Sequence, residues 1–290
     1  MRFREFLESL YKEDANFGGK QYSTNIQKII DHQEDVFKNY NVIVKTSAEI
    51  PSTENIPKED RGKTTKWIRI DDVSCCFIDM VGSTKMSTSL HPNSTAQIYR
   101  YFTGTVIKIL KAFEAPYIDV KGDGVFALFD KGQEHAALAA VVTCKTFINE
   151  KFSKDVKLKR SLELDGHYGI SRGTLLVRRI GSRRTDDSDQ ARNEVWAGRP
   201  VNQAAKLAGL AGSNKLLVSN RYHQCLKLEE ALKSCGCSGG EYIGKKSELW
   251  TKRDLSDEDH LKIETGWELA SNWCSIHGEK SCKEMLLNDQ

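Results

Sequence analysis

Hydrophobic residues in the first forty positions recur every three or four residues. That spacing gathers apolar side chains on one face of a helix and predicts one or two helices, broken near Gly18 and Gly19. The residues that share the spacing are Phe3, Phe6, Leu7, Leu10, Ile26, Ile29, Ile30 and Phe37. Residues 46–66 are polar and contain Pro51 and Pro57, which predicts a linker or an irregular arm packed back on the domain.

From Val73 onward, short apolar runs alternate with glycine, aspartate and proline. Residues 73–78 form such a run before Asp79 and predict a buried strand. Two more runs, 117–120 and 125–129, flank a Lys-Gly-Asp-Gly turn, which predicts a hairpin with Asp123 at its tip. Residues 167–177 predict two strand segments joined by a glycine kink, and residues 216–218 predict another strand.

Helical periodicity separates these strands. One helix is predicted to begin at Pro92, and the residues that share its apolar face are Ile98, Phe102, Val106, Ile109 and Phe113. Further helices are predicted for residues 133–152, for residues 201–210, and for a segment ending near Leu228. This order of elements predicts an α+β fold, a sheet with helices packed on one face.

Composition narrows the class of protein. With 290 residues, 39% hydrophobic and 29% charged, the chain has room for one well-buried domain plus extra elements, or for two small domains. A net charge of +3 gives no argument for a nucleic-acid or membrane partner. Neither a bilayer-spanning run nor a signal peptide is evident, so a cytoplasmic protein with reduced cysteines is expected.

Two aspartates at the ends of apolar runs are the main candidates for chemistry. Asp79 precedes Gly82, and Asp123 lies between Gly122 and Gly124. Carboxylates of this kind hold Mg²⁺ or Mn²⁺, and two such ions can clamp the attacking and leaving oxygens of a phosphoryl displacement. Each segment taken alone is better explained as a turn, because Asp and Gly are ordinary turn residues.

Four motifs in a fixed order add a family resemblance. They are Phe77-x-Asp79-x-x-Gly82-Ser83-Thr84, Lys121-Gly122-Asp123-Gly124, Gly169-Ile170-Ser171-Arg172-Gly173, and the segment from Trp196 to Leu207. Together they resemble the catalytic domain of class III nucleotidyl cyclases over about residues 71–228. The resemblance implies a head-to-tail homodimer with active sites at its interface.

The same resemblance assigns roles to individual residues. It implies that Asp79 and Asp123 hold two Mn²⁺ or Mg²⁺ ions per site, and that Asn202 of the second subunit orients the ribose and the transition state. It also implies that a backbone segment cradles the phosphates. That segment consists of Met80, Val81, Gly82, Ser83 and Thr84.

Departures from the family pattern concern the base and the phosphates. Lys206 stands where an arginine is usual, and can stabilise phosphate charge as a point charge without a bidentate fork. Asp119 stands where a purine-reading lysine or glutamate is usual, and the partner position falls at Glu194 or Val195. In these respects the chain resembles the pyrimidine cyclases of bacterial Pycsar anti-phage systems, in which the residue equivalent to Phe77 borders the nucleotide. Without that resemblance, Phe77 is equally well a core residue.

These resemblances imply a specific reaction. The expected activity is conversion of UTP, or of CTP, to the 3′,5′-cyclic monophosphate and pyrophosphate, in phage defence and with a cyclic-nucleotide-responsive effector downstream. Two alternatives remain open: an adenylate or guanylate cyclase with an atypical base pocket, and a catalytically silent nucleotide-binding module. The expected division is a helical extension and linker (1–70), a catalytic domain (71–230) and a small C-terminal appendage (231–290).

The C-terminal appendage carries a second candidate metal site. Cysteine and histidine are the ligands of structural zinc, although a Cys-x-Cys spacing is shorter than usual, and scattered reduced thiols are the alternative. The candidate ligands are Cys235, Cys237, Cys274, His277 and Cys282. Separately, the arginines Arg178, Arg179, Arg183 and Arg184 are expected at a solvated hairpin tip.

Overall fold

A computed structural model describes residues 22–58, 64–180, 193–238, 241–242, 244–258 and 262–289. Within these residues, nine strands form one mixed sheet. The strands are β1 (Asn41–Ser47), β2 (Thr64–Val81), β3 (Tyr117–Lys121), β4 (Gly124–Phe129), β5 (Asp165–Ile180), β6 (Asn193–Ala197), β7 (Leu216–Ser219), β10 (Trp250–Asp254) and β11 (Thr265–Leu269), while β8 (Cys237–Ser238) and β9 (Glu241–Tyr242) pair separately. The main path of the sheet runs β10-β11-β7-β5-β2-β4-β3, with β1 beside β2 and β6 beside β5.

One face of the sheet is covered by an apolar layer of helices. The α-helices in chain order are α1 (Thr24–Asn39), α2 (Ser83–Ser89), α3 (Pro92–Ala112), α4 (Glu134–Phe147), α5 (Ser153–Arg160), α6 (Arg199–Leu210), α7 (Asn220–His223), α8 (Glu229–Leu232) and α9 (Gly278–Leu287), with a π turn (Ile148–Phe152) between α4 and α5. Cys76, Ile78 and Met80 of β2 enter the same core as Phe102 of α3 and the buried alanines of α4. The predicted helices at 92 and 133 and the α+β class are confirmed.

Helix α6 packs on the opposite face, where the sequence had predicted no helix. Glycines of β5 permit its approach: a Cβ added to Gly169 would lie 2.1 Å from the carbonyl oxygen of Ala204. Gly173 is similarly tight against Pro200. Helices therefore lie on both faces of the sheet, and α6 packs mainly against β5, with further contacts to β2 and β7.

Strand β2 is longer than the predicted 73–78 run. A bulge lies between Ile70 and Val73, where Asp72 adopts a left-handed backbone with φ 61°, and β1 pairs in parallel with the part of β2 before it. Ile50 and Ile56 are buried, so the segment at 46–58 packs back on the domain as an arm. Helix α1 confirms the second predicted N-terminal helix, and the first lies outside the described residues.

The C-terminal residues do not form a separate layer. β10 and β11 extend the main sheet beyond β7. The helix predicted to end near Leu228 is only the four-residue α7. Arg178 and Arg179 are buried inside β5, so the solvated-tip prediction is wrong for both, while Arg183 and Arg184 lie outside the described residues. Among the described helices, none combines the length and hydrophobicity needed to cross a bilayer.

Candidate active site

The two predicted metal-binding aspartates come together at one end of the sheet. Asp79 lies near the end of β2, and Asp123 lies in the turn between β3 and β4. Gly124 follows Asp123 and sits directly beside Asp79: a Cβ added there would lie 3.3 Å from Asp79 Oδ1 and 2.6 Å from Phe77 Cζ. The absence of a side chain at Gly124 thus lets the hairpin turn approach β2.

Electrostatics show that the two carboxylates interact. Burial raises the pKa of Asp79, the negative charge of Asp123 raises it further, and the backbone amide of Met80 acts in the opposite direction. Two carboxylates held in mutual repulsion form an oxygen-ligand pair whose charge a divalent cation would neutralise. These residues therefore fit a magnesium or manganese site.

The turn after Asp79 is shaped for an anion. Gly82 has a left-handed backbone, φ 87°, and forms the N-cap of α2, which begins at Ser83. No side chain caps this helix end, so its first amides are not taken up by a neighbouring side chain. The predicted phosphate-binding segment consists of Met80, Val81, Gly82, Ser83 and Thr84. The side chain of Met80 is buried in the core beneath the helices, so this residue can offer only its backbone to a ligand.

Phe77 and Asp119 lie in one row on the sheet face that α6 packs against. Phe77 pairs with Phe126, and Phe126 pairs in turn with Asp119, so the three side chains point to the same side of the sheet. Lys121 Nζ lies 2.6 Å from Asp119 Oδ2. Phe77 is partly buried against an apolar cluster that includes Ala204 of α6. Its position is therefore compatible with both predicted roles, a core residue and a residue that borders the nucleotide.

Beside this row, two aromatic rings that the sequence patterns did not link lie close together. Tyr117 of β3 pairs across from Leu128, and its ring centroid lies 4.6 Å from that of Trp196 of β6. Burial raises the pKa of the Tyr117 hydroxyl, and the charges of Asp119 and Glu194 raise it further. Of the two positions left open, Glu194 and Val195, Glu194 is the one whose charge acts on Tyr117. Alternation along β3 links Tyr117 to Asp119, but no local signal links Trp196 to either.

His167 is a further neighbour that the sequence did not reveal. It is the direct cross-strand partner of Asp79 in β5, and so its side chain lies on the same face. Burial lowers the pKa of this imidazole. The register between β2 and β5 is set by tertiary pairing, so no pattern along the chain indicates that His167 lies beside Asp79.

Asn202 and Lys206 occupy another part of the molecule. They lie one turn apart on α6, and both are exposed, while Ala204, Leu207 and Ala208 face the sheet. The groups that act on the pKa of Asp79 are Asp123 and the Met80 amide, and neither Asn202 nor Lys206 is among them.

Four of the five candidate zinc ligands also come together. The ligand atoms of Cys235, Cys237, Cys274 and His277 all lie within 4.8 Å of one another. Hydrogen bonds from the amides of His277 and Ile276 lower the pKa of the Cys274 thiol to about 6. The expectation for Cys282 is corrected: it is outside the group and packs beside the main core.

Comparison with known proteins agrees with this geometry. Residues 66–246 match the family described as the adenylate and guanylate cyclase catalytic domain. A protein named uridylate cyclase from Micromonospora echinofusca is 32% identical over 229 residues, covering 76% of this chain and 71% of that protein. The guanylyl cyclase Cya2 has a similar structure, with TM-score 0.54, 18% identity, and coverage of 70% of this chain and 93% of its own. A dimeric guanylyl cyclase domain from the RhoGC fusion protein of Blastocladiella emersonii gives TM-score 0.52, 11% identity, and coverage of 69% and 97%.

The element order, the mixed sheet and the close approach of Asp79 and Asp123 define an α+β enzyme domain. The chain belongs to the adenylate and guanylate cyclase catalytic domain family, the class III cyclases. It is a nucleotidyl cyclase.

Proposed function

We propose that this protein is a homodimeric pyrimidine nucleotide cyclase that converts UTP, or CTP, to the 3′,5′-cyclic monophosphate and pyrophosphate. The observation that carries the proposal is the convergence of Asp79 and Asp123 at one end of the sheet. The name uridylate cyclase of the relative from Micromonospora echinofusca supports UTP ahead of CTP.

A second subunit is inferred from the family resemblance and from the exposure of the α6 residues. Asn202 and Lys206 extend to solvent from α6, whereas Asp79 and Asp123 lie at one end of the sheet. A head-to-tail pair would bring the α6 residues of one subunit to the aspartates of the other, and would build two equivalent sites. The solved domain from Blastocladiella emersonii is described as a non-canonical dimer, so it supports dimer formation and carries no argument for the head-to-tail arrangement.

Each residue then has a role in the reaction. Asp79 and Asp123 hold two divalent ions, which, when bound, increase the acidity of the ribose 3′-hydroxyl and neutralise the leaving pyrophosphate. The amides from Met80 to Thr84 bind the triphosphate. Asn202 of the second subunit orients the ribose, and its Lys206 offsets the charge that develops on the phosphate.

The base pocket is proposed on the row of side chains beside the aspartates. Phe77 borders the base, and Asp119 accepts a hydrogen bond from uracil N3–H or from the cytosine amine. Asp119 and Glu194 lie close enough to Tyr117 for both carboxylates to act on its hydroxyl. None of these groups matches the purine-reading pattern of the family, which is why a pyrimidine is proposed.

The biological role is proposed from the resemblance to Pycsar cyclases. In that role the protein acts in the cytoplasm, its cyclic product is a second messenger in phage defence, and an effector that responds to cyclic nucleotides acts downstream. A plaque assay with the cyclase, with and without such an effector, tests this part separately from the enzymology.

One assay tests the catalytic proposal. The purified protein is incubated with Mn²⁺ and each of ATP, GTP, CTP and UTP, and products are identified by mass spectrometry. Cyclic UMP as the main product is the expected result. Cyclic AMP or cyclic GMP as the main product would establish a purine cyclase with an atypical pocket. No product from any triphosphate, with nucleotide still bound, would establish a silent binding module.

A further inference from the structure

A group of sulfur and nitrogen ligands lies in the C-terminal part of the chain, apart from the catalytic residues. We propose that Cys235, Cys237, Cys274 and His277 bind one zinc ion that fastens the C-terminal helix to the catalytic domain. Their ligand atoms all lie within 4.8 Å of one another, and Cys237 Sγ is 3.1 Å from His277 Nδ1. Three cysteines and one histidine are a ligand set of structural zinc sites.

The spacing suits a single tetrahedral ion. Zinc–sulfur bonds of about 2.3 Å and zinc–nitrogen bonds of about 2.0 Å place the ligand atoms of a tetrahedron roughly 3.5–3.8 Å apart. The four atoms lie within 4.8 Å of one another, so the widest separation in the group exceeds the tetrahedral spacing by at most about 1 Å. Because the protein supplies all four ligands, no position is left for a catalytic water, and the site is structural.

The backbone on both sides is arranged for this purpose. Gly236, between the first two cysteines, is buried and has a left-handed backbone with φ 85°, which turns both neighbours towards one point. On the other side, residues 274–277 form a turn closed by the Gly278 amide and the Cys274 carbonyl at 2.8 Å. The amides of Ile276 and His277 donate to the Cys274 sulfur, as ligand-bearing turns require.

The ion would join two segments that are distant along the chain. Cys235 and Cys237 follow α8, whereas Cys274 and His277 immediately precede α9. Next to the group, the Trp273 indole nitrogen donates to Thr143 Oγ1 of α4 at 2.8 Å. At the far end of α9, the Asp289 carboxylate accepts from the amides of His135 and Ala136 at the start of α4. A zinc ion therefore anchors one end of a helix whose other end is already docked.

Metal analysis of the full-length protein tests the proposal directly. The purified, untagged protein is analysed by inductively coupled plasma mass spectrometry, and about one zinc per chain is expected. Cys274→Ser is expected to lose most of this zinc and several degrees of Tm. Cys282→Ser is the matched control, since Cys282 is a partly buried cysteine close by in the chain that lies outside the group, and it should keep its zinc.

A second measurement does not depend on how well the cysteine variants fold. Wild-type protein reconstituted with Co²⁺ should show the thiolate-to-cobalt charge-transfer band of a tetrahedral sulfur site. Three results would each overturn the proposal: zinc-free protein that also fails to take up Co²⁺, iron in place of zinc, or a Cys235–Cys237 disulfide detected by peptide mapping. These readouts use no nucleotide, so they are independent of the proposed cyclase activity.

Discussion

The aspartate pair and the cysteine–histidine group are both assembled from distant segments, yet their electrostatics are opposite. At the sheet, burial and the neighbouring Asp123 raise the pKa of Asp79, so the ionised pair is held against repulsion. In the C-terminal group, backbone amides lower the pKa of Cys274, so its anion is stabilised by the fold itself. At the aspartate pair, a cation that binds together with the substrate would relieve the repulsion between the carboxylates. At the cysteine–histidine group, the ligand anion is already stabilised before any ion binds.

This difference separates activity from stability. Asp79 and Asp123 repel each other, so they contribute little to the free energy of folding. Removal of either carboxylate should therefore lower turnover without lowering thermal stability. Contacts that dock α9 on α4 are far along the chain from the catalytic residues and should matter for folding alone. Variants in the two regions should therefore fail in different assays.

The largest expected effect is at the aspartate pair. Asp123→Ala should lower turnover by about 10³-fold or more, because half of the proposed metal-ligand pair is lost. Thermal stability should be unchanged or slightly higher, since a repulsive charge is removed. Turnover of UTP with Mn²⁺ and a melting curve measure both, with the exposed Asp257→Ala as control. Activity close to that of wild type would refute the metal assignment.

The next effect tests whether the site spans two subunits. Asn202→Ala should reduce turnover by about a hundredfold. Refolding an equal mixture of Asp123→Ala and Asn202→Ala chains should restore about a quarter of wild-type activity, because half of the dimers then contain one intact site of two.

The control for this mixture lies on the same helix. Asn202→Ala mixed with Lys206→Ala should restore nothing, because every site then lacks one of the two α6 residues. Equal recovery in both mixtures, or none in either, would contradict the head-to-tail arrangement.

Local signals along the chain were enough to predict the aspartates, but not their neighbours. Asp79 and Asp123 each follow or end an apolar run near a glycine, so both could be predicted as site residues without knowing which strands pair. His167 became a neighbour of Asp79 only through the register of β2 and β5. The Trp196 ring contacts the Tyr117 ring although β6 and β3 are not adjacent in the sheet. The β5–β6 hairpin must therefore bend over the sheet face on which Tyr117 lies.

Strand lengths were underestimated where charged residues interrupt the apolar pattern. β2 extends back to Thr64 through Lys66, Arg69 and Asp71, which the 73–78 run did not include. β10 contains Lys252 and Arg253 and was missed for the same reason, although Arg253 pairs with Glu268 of β11. Tertiary ion pairs and strand pairing stabilise these strands, and neither is readable from hydrophobic periodicity.

A smaller effect is expected at the docked end of α9. Asp289→Ala removes the carboxylate that accepts from the first amides of α4, which should cost about 1–2 kcal/mol and lower Tm by about 2–6 °C. Turnover at low temperature should not change. Chemical denaturation measures the free energy of unfolding, and Asp257→Ala again serves as the control. Loss of turnover without loss of stability would mean that the two regions are coupled.

The smallest effect concerns the pH dependence of the aspartate pair. Because the pKa of Asp79 is raised on folding, the folded protein binds more protons than the unfolded chain between the ordinary aspartate pKa and the raised one. The contribution of Asp79 to the stability of the manganese-free protein should therefore fall as pH rises through that window, so the stability of Asp79→Asn relative to wild type should rise over the same range. At neutral pH, Asp79→Asn should melt slightly above wild type without Mn²⁺, whereas added Mn²⁺ should raise the Tm of wild type alone. Scanning fluorimetry from pH 4 to 8, with Asp257→Asn as control, measures both trends. A variant that melts below wild type at neutral pH and still responds to Mn²⁺ would show that Asp79 stabilises the fold and holds no ion.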